Sequence, residues 1–140
     1  MKNGFKLSAV IPATPAEIYK AWLNTKGHTL MTGSAARVSG KVGGKFTAWD
    51  GYIFGRTLEL KPDRRIVQAW RTSEFPAEAP DSHLEVLLEK TKGGTKITLI
   101  HTEIPVGQAN SYKQGWKDFY FKPMKIHFKK QSVSHLHLDK

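Results

Sequence analysis

Apolar and polar positions along the chain change period twice, and each change marks a boundary between predicted elements. Phe5 to Ile11 reads as an opening β-strand. Thr14-Pro15-Ala16-Glu17 then carries a helix start: threonine can cap, proline suits the first helical position, and glutamate three residues on completes a capping box. Ile18 and Trp22 share one face of the helix that follows, and a second short helix is predicted from Thr25 to Met31, ending at Thr32-Gly33. From Ala35 to Thr102 the signals are strands and turns. Asp50-Gly51 reads as a hairpin turn between Phe46 to Trp49 and Tyr52 to Leu60, and Lys61-Pro62-Asp63 turns the chain again before Arg65 to Arg71. Glu74 to Asp81, with two prolines and three acids, is predicted as a long exposed loop. Leu84, Val86 and Leu88 alternate in the next strand, Gly93-Gly94 turns it, and Ile97, Leu99 and His101 alternate in the last.

A helical period returns near Asn110. Tyr112, Trp116, Phe119, Tyr120, Pro123 and His127 recur every three or four residues, placing an aromatic stripe on one side of a final helix to about Lys130. Pro123 should kink that helix, because it removes an amide donor and crowds the preceding turn. The predicted fold is α+β and of the helix-grip type: a curved antiparallel sheet of six or seven strands around a long C-terminal helix, with two short helices after the first strand. Residues 1–130 are expected to form a single domain and 131–140 a flexible tail.

Composition changes this picture little. With 140 residues, one domain can bury about two thirds of its unfolded surface. There are no cysteines, which removes disulfides and thiolate chemistry and suits a reducing cytoplasm. No apolar run reaches the length of a signal peptide or a membrane span, so the expectation is a soluble cytoplasmic protein. The formal charge is +10. Half of this surplus lies after Asn110, on lysines (113, 117, 122, 125, 129, 130) that recur at helical intervals and avoid the aromatic positions, as on the solvated face of an amphipathic helix. The Arg64-Arg65 pair comes with no recognition-helix or RNP-like signature, so a nucleic-acid partner is not expected.

The run Gly55 to Trp70, with Gly43-Gly44-Lys45-Phe46, Asp50-Gly51, His101 and Gln114-Gly115-Trp116, resembles the domain shared by the C-terminal half of the activator of heat-shock protein 90 ATPase and many small single-domain homologues. The resemblance covers roughly Ile11 to Phe128 and places the chain with the START-like (SRPBCC), helix-grip superfamily. It implies the fold above. For function it leaves several classes open, since similar domains bind lipids, hormones or polyketides, act as enzymes, or serve as co-chaperones.

Candidate chemistry is sparse. Gly40-Lys41-Val42-Gly43-Gly44-Lys45 lacks the spacing, the Ser or Thr and the helix of a phosphate loop. His135 and His137, with Asp139, sit in the predicted tail and make a poor preorganised metal site, so no metal or other cofactor is expected. Ser8, Ser34, Ser39 and Ser111 lack a nucleophile elbow, and Glu59, Glu85 and Glu89 fall on the predicted solvent face. No catalytic set is legible. The remaining candidates are Trp70, His101, Trp116, Phe119 and Tyr120, read either as core or as walls of a cavity between sheet and helix, with His101 a hydrogen-bonded core residue or a polar anchor. Three functions follow: a non-enzymatic domain binding a small apolar ligand, a co-chaperone partner of a heat-shock protein 90 type ATPase, or a pocket enzyme such as a cyclase or hydrolase. The resemblance implies the co-chaperone, although a single domain would lack the N-terminal domain of the eukaryotic activator.

Overall fold

The computed structural model describes residues 3–138, with side chains as far as Gln131. Its elements are β1 (Phe5–Ile11), α1 (Pro15–Trp22), α2 (Thr25–Thr32), β2 (Arg37–Val38), β3 (Lys45–Ala48), β4 (Ile53–Lys61), β5 (Arg65–Thr72), β6 (Ser82–Thr91), β7 (Gly94–Thr102), α3 (Ala109–Trp116) and α4 (Lys122–Leu138), with a π turn (Lys117–Phe121) joining the last two. The capping box forms: Thr14 Oγ1 accepts from the Glu17 amide at 3.1 Å and Glu17 Oε1 from the Thr14 amide at 2.9 Å. Asn24 caps α2 in the same way, and Gly33 ends it in the left-handed conformation, φ 82°. Of the segment set apart as a tail, 131–140, the backbone to Leu138 belongs to α4, while the side chains from 132 and the backbone from 139 lie outside the described residues.

The seven strands form one antiparallel sheet in the order β1-β7-β6-β5-β4-β3-β2. Each strand from β2 onward pairs with the next, and β1 returns to β7. A bulge at Leu58, where the β4–β5 register shifts between Thr57 and Glu59, adds bend and twist to the middle of the sheet. The concave side holds a core in which Ile66, Leu84, Val86, Ile97 and Leu99 meet Ile18, Trp22 and Met31 of the short helices and Trp116, Tyr120 and Met124 of the final helix.

Gly55 is where backbone approaches backbone. A Cβ there would lie 1.9 Å from the Ala69 carbonyl oxygen and 2.9 Å from the Phe46 ring. Gly55→Ala should therefore cost about 3 kcal/mol, at the upper end for overpacking, because the obstacle is a ladder carbonyl that no rotamer can clear. Urea denaturation measures this, and an unchanged midpoint would refute the close approach.

The final helix departs from a regular α-helix just ahead of Pro123. Proline has no amide to give the Phe119 carbonyl and would crowd it. The chain answers with a π turn, in which the Lys122 amide bonds the Lys117 carbonyl five residues back. The extra residue shifts the helical phase. The buried stripe runs Tyr112, Trp116, Tyr120 and then Phe121, Met124, Phe128, so consecutive residues Tyr120 and Phe121 both face inward. Phe119, placed in the stripe by a uniform helical period, is instead 55% exposed, and Pro123 and His127 are only half-buried. The loop after β5 also differs from expectation: Phe75 is buried against Trp70 and Tyr112. Arg71 staples the rest of this loop through Asp81 Oδ1 (2.8 Å) and the Ala79 and Pro76 carbonyls.

Candidate functional site

His101 stands on β7 facing the final helix, fully buried. Trp116 Nε1 donates to its Nδ1 at 3.1 Å, which leaves the ring proton on Nε2, 2.8 Å from Ser82 Oγ. Ser82 in turn donates to the Trp70 carbonyl at 2.8 Å. This chain ties β5, β6 and β7 to α3, and burial holds His101 neutral, its pKa lowered to about 3. Of its two readings, the geometry realises the hydrogen-bonded core residue.

A second buried imidazole, His28 of α2, does the same for the π turn. Its Nδ1 donates to the Trp22 carbonyl at 2.9 Å, so Nε2 accepts from the Tyr120 hydroxyl at 2.7 Å. Burial lowers the His28 pKa to about 4 and raises that of Tyr120. The sequence reading passed over His28. Its signal was there in the spacing to Met31 and Thr32, the other buried residues of α2.

Sheet and helix line a cavity of about 240 Å³ that is open to solvent. The turn joining β3 to β4 contributes Trp49 and Tyr52, β4 Ile53 and β5 Trp70. Tyr112, Gly115 and Trp116 come from α3, and Phe119 and Tyr120 from the π turn. Four of the five candidate residues, Trp70, Trp116, Phe119 and Tyr120, thus meet at one cavity, and His101 stands behind it, bonded to Trp116. The Trp116 ring lies 4.6 Å from Tyr120, 5.7 Å from Trp70 and 6.0 Å from Trp22, the last pair stacked. Gly115 reaches the wall because a Cβ there would meet only Phe119, at 3.9 Å, so its absent side chain opens space rather than admitting a strand. Trp49, Tyr52 and Ile53 escaped the sequence reading, which saw that turn only as a hairpin.

The walls present shape and carbon surface rather than acid–base groups. Tyr120 gives its hydroxyl to His28, Tyr112 bonds Gln108 Oε1 at 2.6 Å and Thr72 Oγ1 at 2.7 Å, and Tyr52 donates to Glu74. Glu59 and Glu85 pair instead with Arg65 on the sheet's outer side. Among the described residues, no three His, Cys, Asp or Glu side chains gather as a metal site, and no helix is long and apolar enough to cross a membrane. His135 and His137 lie beyond the described side chains.

A curved antiparallel sheet around a long C-terminal helix, with two short helices after the first strand, defines a START-like, helix-grip domain. The chain belongs to the family described as "Activator of Hsp90 ATPase homolog 1-like protein", whose model matches residues 12–129. The human activator of 90 kDa heat shock protein ATPase homolog 1 is 27% identical over 115 residues, 82% of this chain and 34% of its own length. The homologue from Dictyostelium discoideum is 26% identical over 113 residues, 80% of this chain and 29% of its own. The chain therefore spans about a third of the curated relatives it matches. Among solved structures, an HSP90 activator from Plasmodium falciparum superposes with a TM-score of 0.79 at 27% identity, over 88% of this chain and 94% of that one. An Aha1 dimer from Colwellia psychrerythraea shares the fold, with a TM-score of 0.74 at 16% identity over 89% and 95%.

Proposed function

We infer that this chain is a non-catalytic binding domain that engages a chaperone of the heat-shock protein 90 type, working in the cytoplasm. The observation that carries this reading is the family match from 12 to 129, which takes in everything from α1 to the final helix. The relatives named as activators of that chaperone's ATPase support it. Its surface also fits an acidic partner, with a charge of +10 and Lys113 and Lys117 exposed on either side of the buried Trp116. Charges at the rim of an interface act mainly on encounter rate and salt dependence. Added to its cognate chaperone at low salt, the chain should raise the ATPase rate, and the effect should shrink as salt rises and again in a Lys113→Glu, Lys117→Glu variant. Absence of binding at low salt would remove this reading.

The cavity supports a second reading, that the domain also holds a small apolar ligand between sheet and helix. A cavity of about 240 Å³ next to an exposed Phe119 is room that core packing alone leaves unused. Apolar compounds should raise the melting temperature by mass action. Gly115→Leu should abolish that response while leaving the unliganded chain at least as stable, because leucine fills the void and suits a helix better than glycine by about 0.8 kcal/mol. A response that survives Gly115→Leu would place binding elsewhere.

A further inference from the structure

Five lysines of the final helix fall into one row. Lys113, Lys117, Lys122, Lys125 and Lys129 each follow directly on a buried residue, namely Tyr112, Trp116, Phe121, Met124 and Phe128, and all five are exposed. A residue one position past the buried stripe lies about a quarter turn round the helix, so the five share one flank. The step from Lys117 to Lys122 is five residues, which would leave that flank in a regular α-helix. It crosses the π turn, whose wider coil brings the row back into line. From Lys113 to Lys129 the row runs roughly 24 Å, at about 1.5 Å per residue. None of the five makes an ion pair among the described residues, and Asp118 is turned to Gln114, whose Nε2 it accepts at 3.1 and 3.2 Å. Like charges three and four residues apart repel, so the helix holds this row against its own stability. The opposite flank is taken: Gly115 and Phe119 border the cavity, and His127 the cleft against α1 and α2. The lysines therefore lie on the side of β1, which both α3 and α4 contact. Among the described residues β1 pairs with β7 alone, and its inward residues Leu7 and Ala9 are only half-buried.

We propose that this flank docks an acidic amphipathic helix of the partner, with its carboxylates set along the lysine row and its apolar side against Leu7 and Ala9. The proposal rests on the chaperone reading above and names the feature of the partner that is recognised. An α-helix repeats its side chains at i and i+4 about every 6 Å, close to the mean interval of the lysines, so a partner helix can meet the row charge for charge. A nucleic acid is a poorer match. The row holds no arginine to grip phosphate, and this flank exposes no aromatic ring on which a base could stack.

Fluorescence anisotropy at low salt tests this with two probes, the cognate chaperone and a labelled helical peptide of about 20 residues that carries glutamate and leucine in adjoining rows. The peptide should bind the wild-type chain, more weakly with serine for each leucine and not at all with lysine for each glutamate. Lys113→Glu with Lys117→Glu, and separately Lys125→Glu with Lys129→Glu, should each weaken the binding of peptide and chaperone about tenfold. Lys20→Glu with Lys26→Glu makes the same change of charge at exposed sites on α1 and α2, and should leave both within about twofold. If the chaperone does not bind the wild type, the reading beneath the proposal fails and the proposal with it. If the chaperone binds and the three double variants weaken it equally, or not at all, that reading stands and the row is overturned. If the peptide binds no better than its lysine counterpart, or a DNA duplex or phosphatidylserine vesicles bind the row more tightly than the peptide does, the acidic helix is overturned.

Discussion

Acidification from pH 6.5 to 5 should lower the unfolding free energy of this domain by about 3 kcal/mol, before its carboxylates begin to titrate. His28 and His101 are the source. Both are neutral when folded, with pKa values lowered to about 4 and about 3, chiefly by burial. In the unfolded chain they take up protons near pH 6.5. Below that value the unfolded state binds more protons than the folded one, so stability falls with pH, at a limiting slope of about 1.4 kcal/mol per pH unit for each histidine. The loss should continue to about pH 4 for His28 and about pH 3 for His101. Half-buried His127, its pKa also lowered by burial, adds in the same direction.

The two histidines should not fail alike. A proton added to His28 Nε2 can be given to the Tyr120 oxygen if that hydroxyl rotates, so its bond reverses rather than breaks. A proton on His101 Nδ1 would meet the Trp116 N–H, donor against donor, and break the chain that ties β7 to α3. Urea unfolding at half-unit pH steps measures the slope, and a midpoint unchanged between pH 6.5 and 5 would show that these imidazoles titrate normally and are not buried as described.

The sequence carried the fold because its boundaries are local. A capping box at Thr14, a left-handed glycine after α2 and paired turn residues at 50–51 and 93–94 each act within four residues, so single-sequence reasoning reaches them. The site is a different kind of object. Its cavity depends on the helical phase after Trp116, and that phase turns on how the chain accommodates Pro123. A uniform period put Phe119 inside; the π turn put it outside and brought Phe121 in. Glycine roles are set the same way. Gly115 opens the cavity, while the tight contact lies at Gly55 against Ala69. Which of two glycines meets a neighbour is decided by tertiary packing. Likewise Phe75, amid prolines and acids, is buried because Arg71 pins its loop, a tie that spans up to ten residues and leaves no local pattern.

Replacing Trp116 should be the most damaging single change in the final helix. Trp116→Ala removes a buried indole whose ring meets Trp22, Trp70, His101 and Tyr120, and truncations of this kind cost about 3–5 kcal/mol. Two further effects oppose each other. The deletion leaves His101 Nδ1 buried without its donor, which adds about 1–3 kcal/mol. The site also borders an existing cavity, so neighbours can relax into the enlarged space and recover part of the loss. Trp116→Phe separates these contributions, since it keeps most of the packing and removes only the N–H, and it should cost about 1–3 kcal/mol. If alanine costs no more than phenylalanine, the hydrogen bond to His101 is what Trp116 contributes and the ring merely lines a void. If alanine costs at least about 2 kcal/mol more, the indole is the packed joint that holds the helix to the sheet. A wild-type midpoint in both variants would mean that Trp116 faces solvent and that the helical phase built on it is wrong.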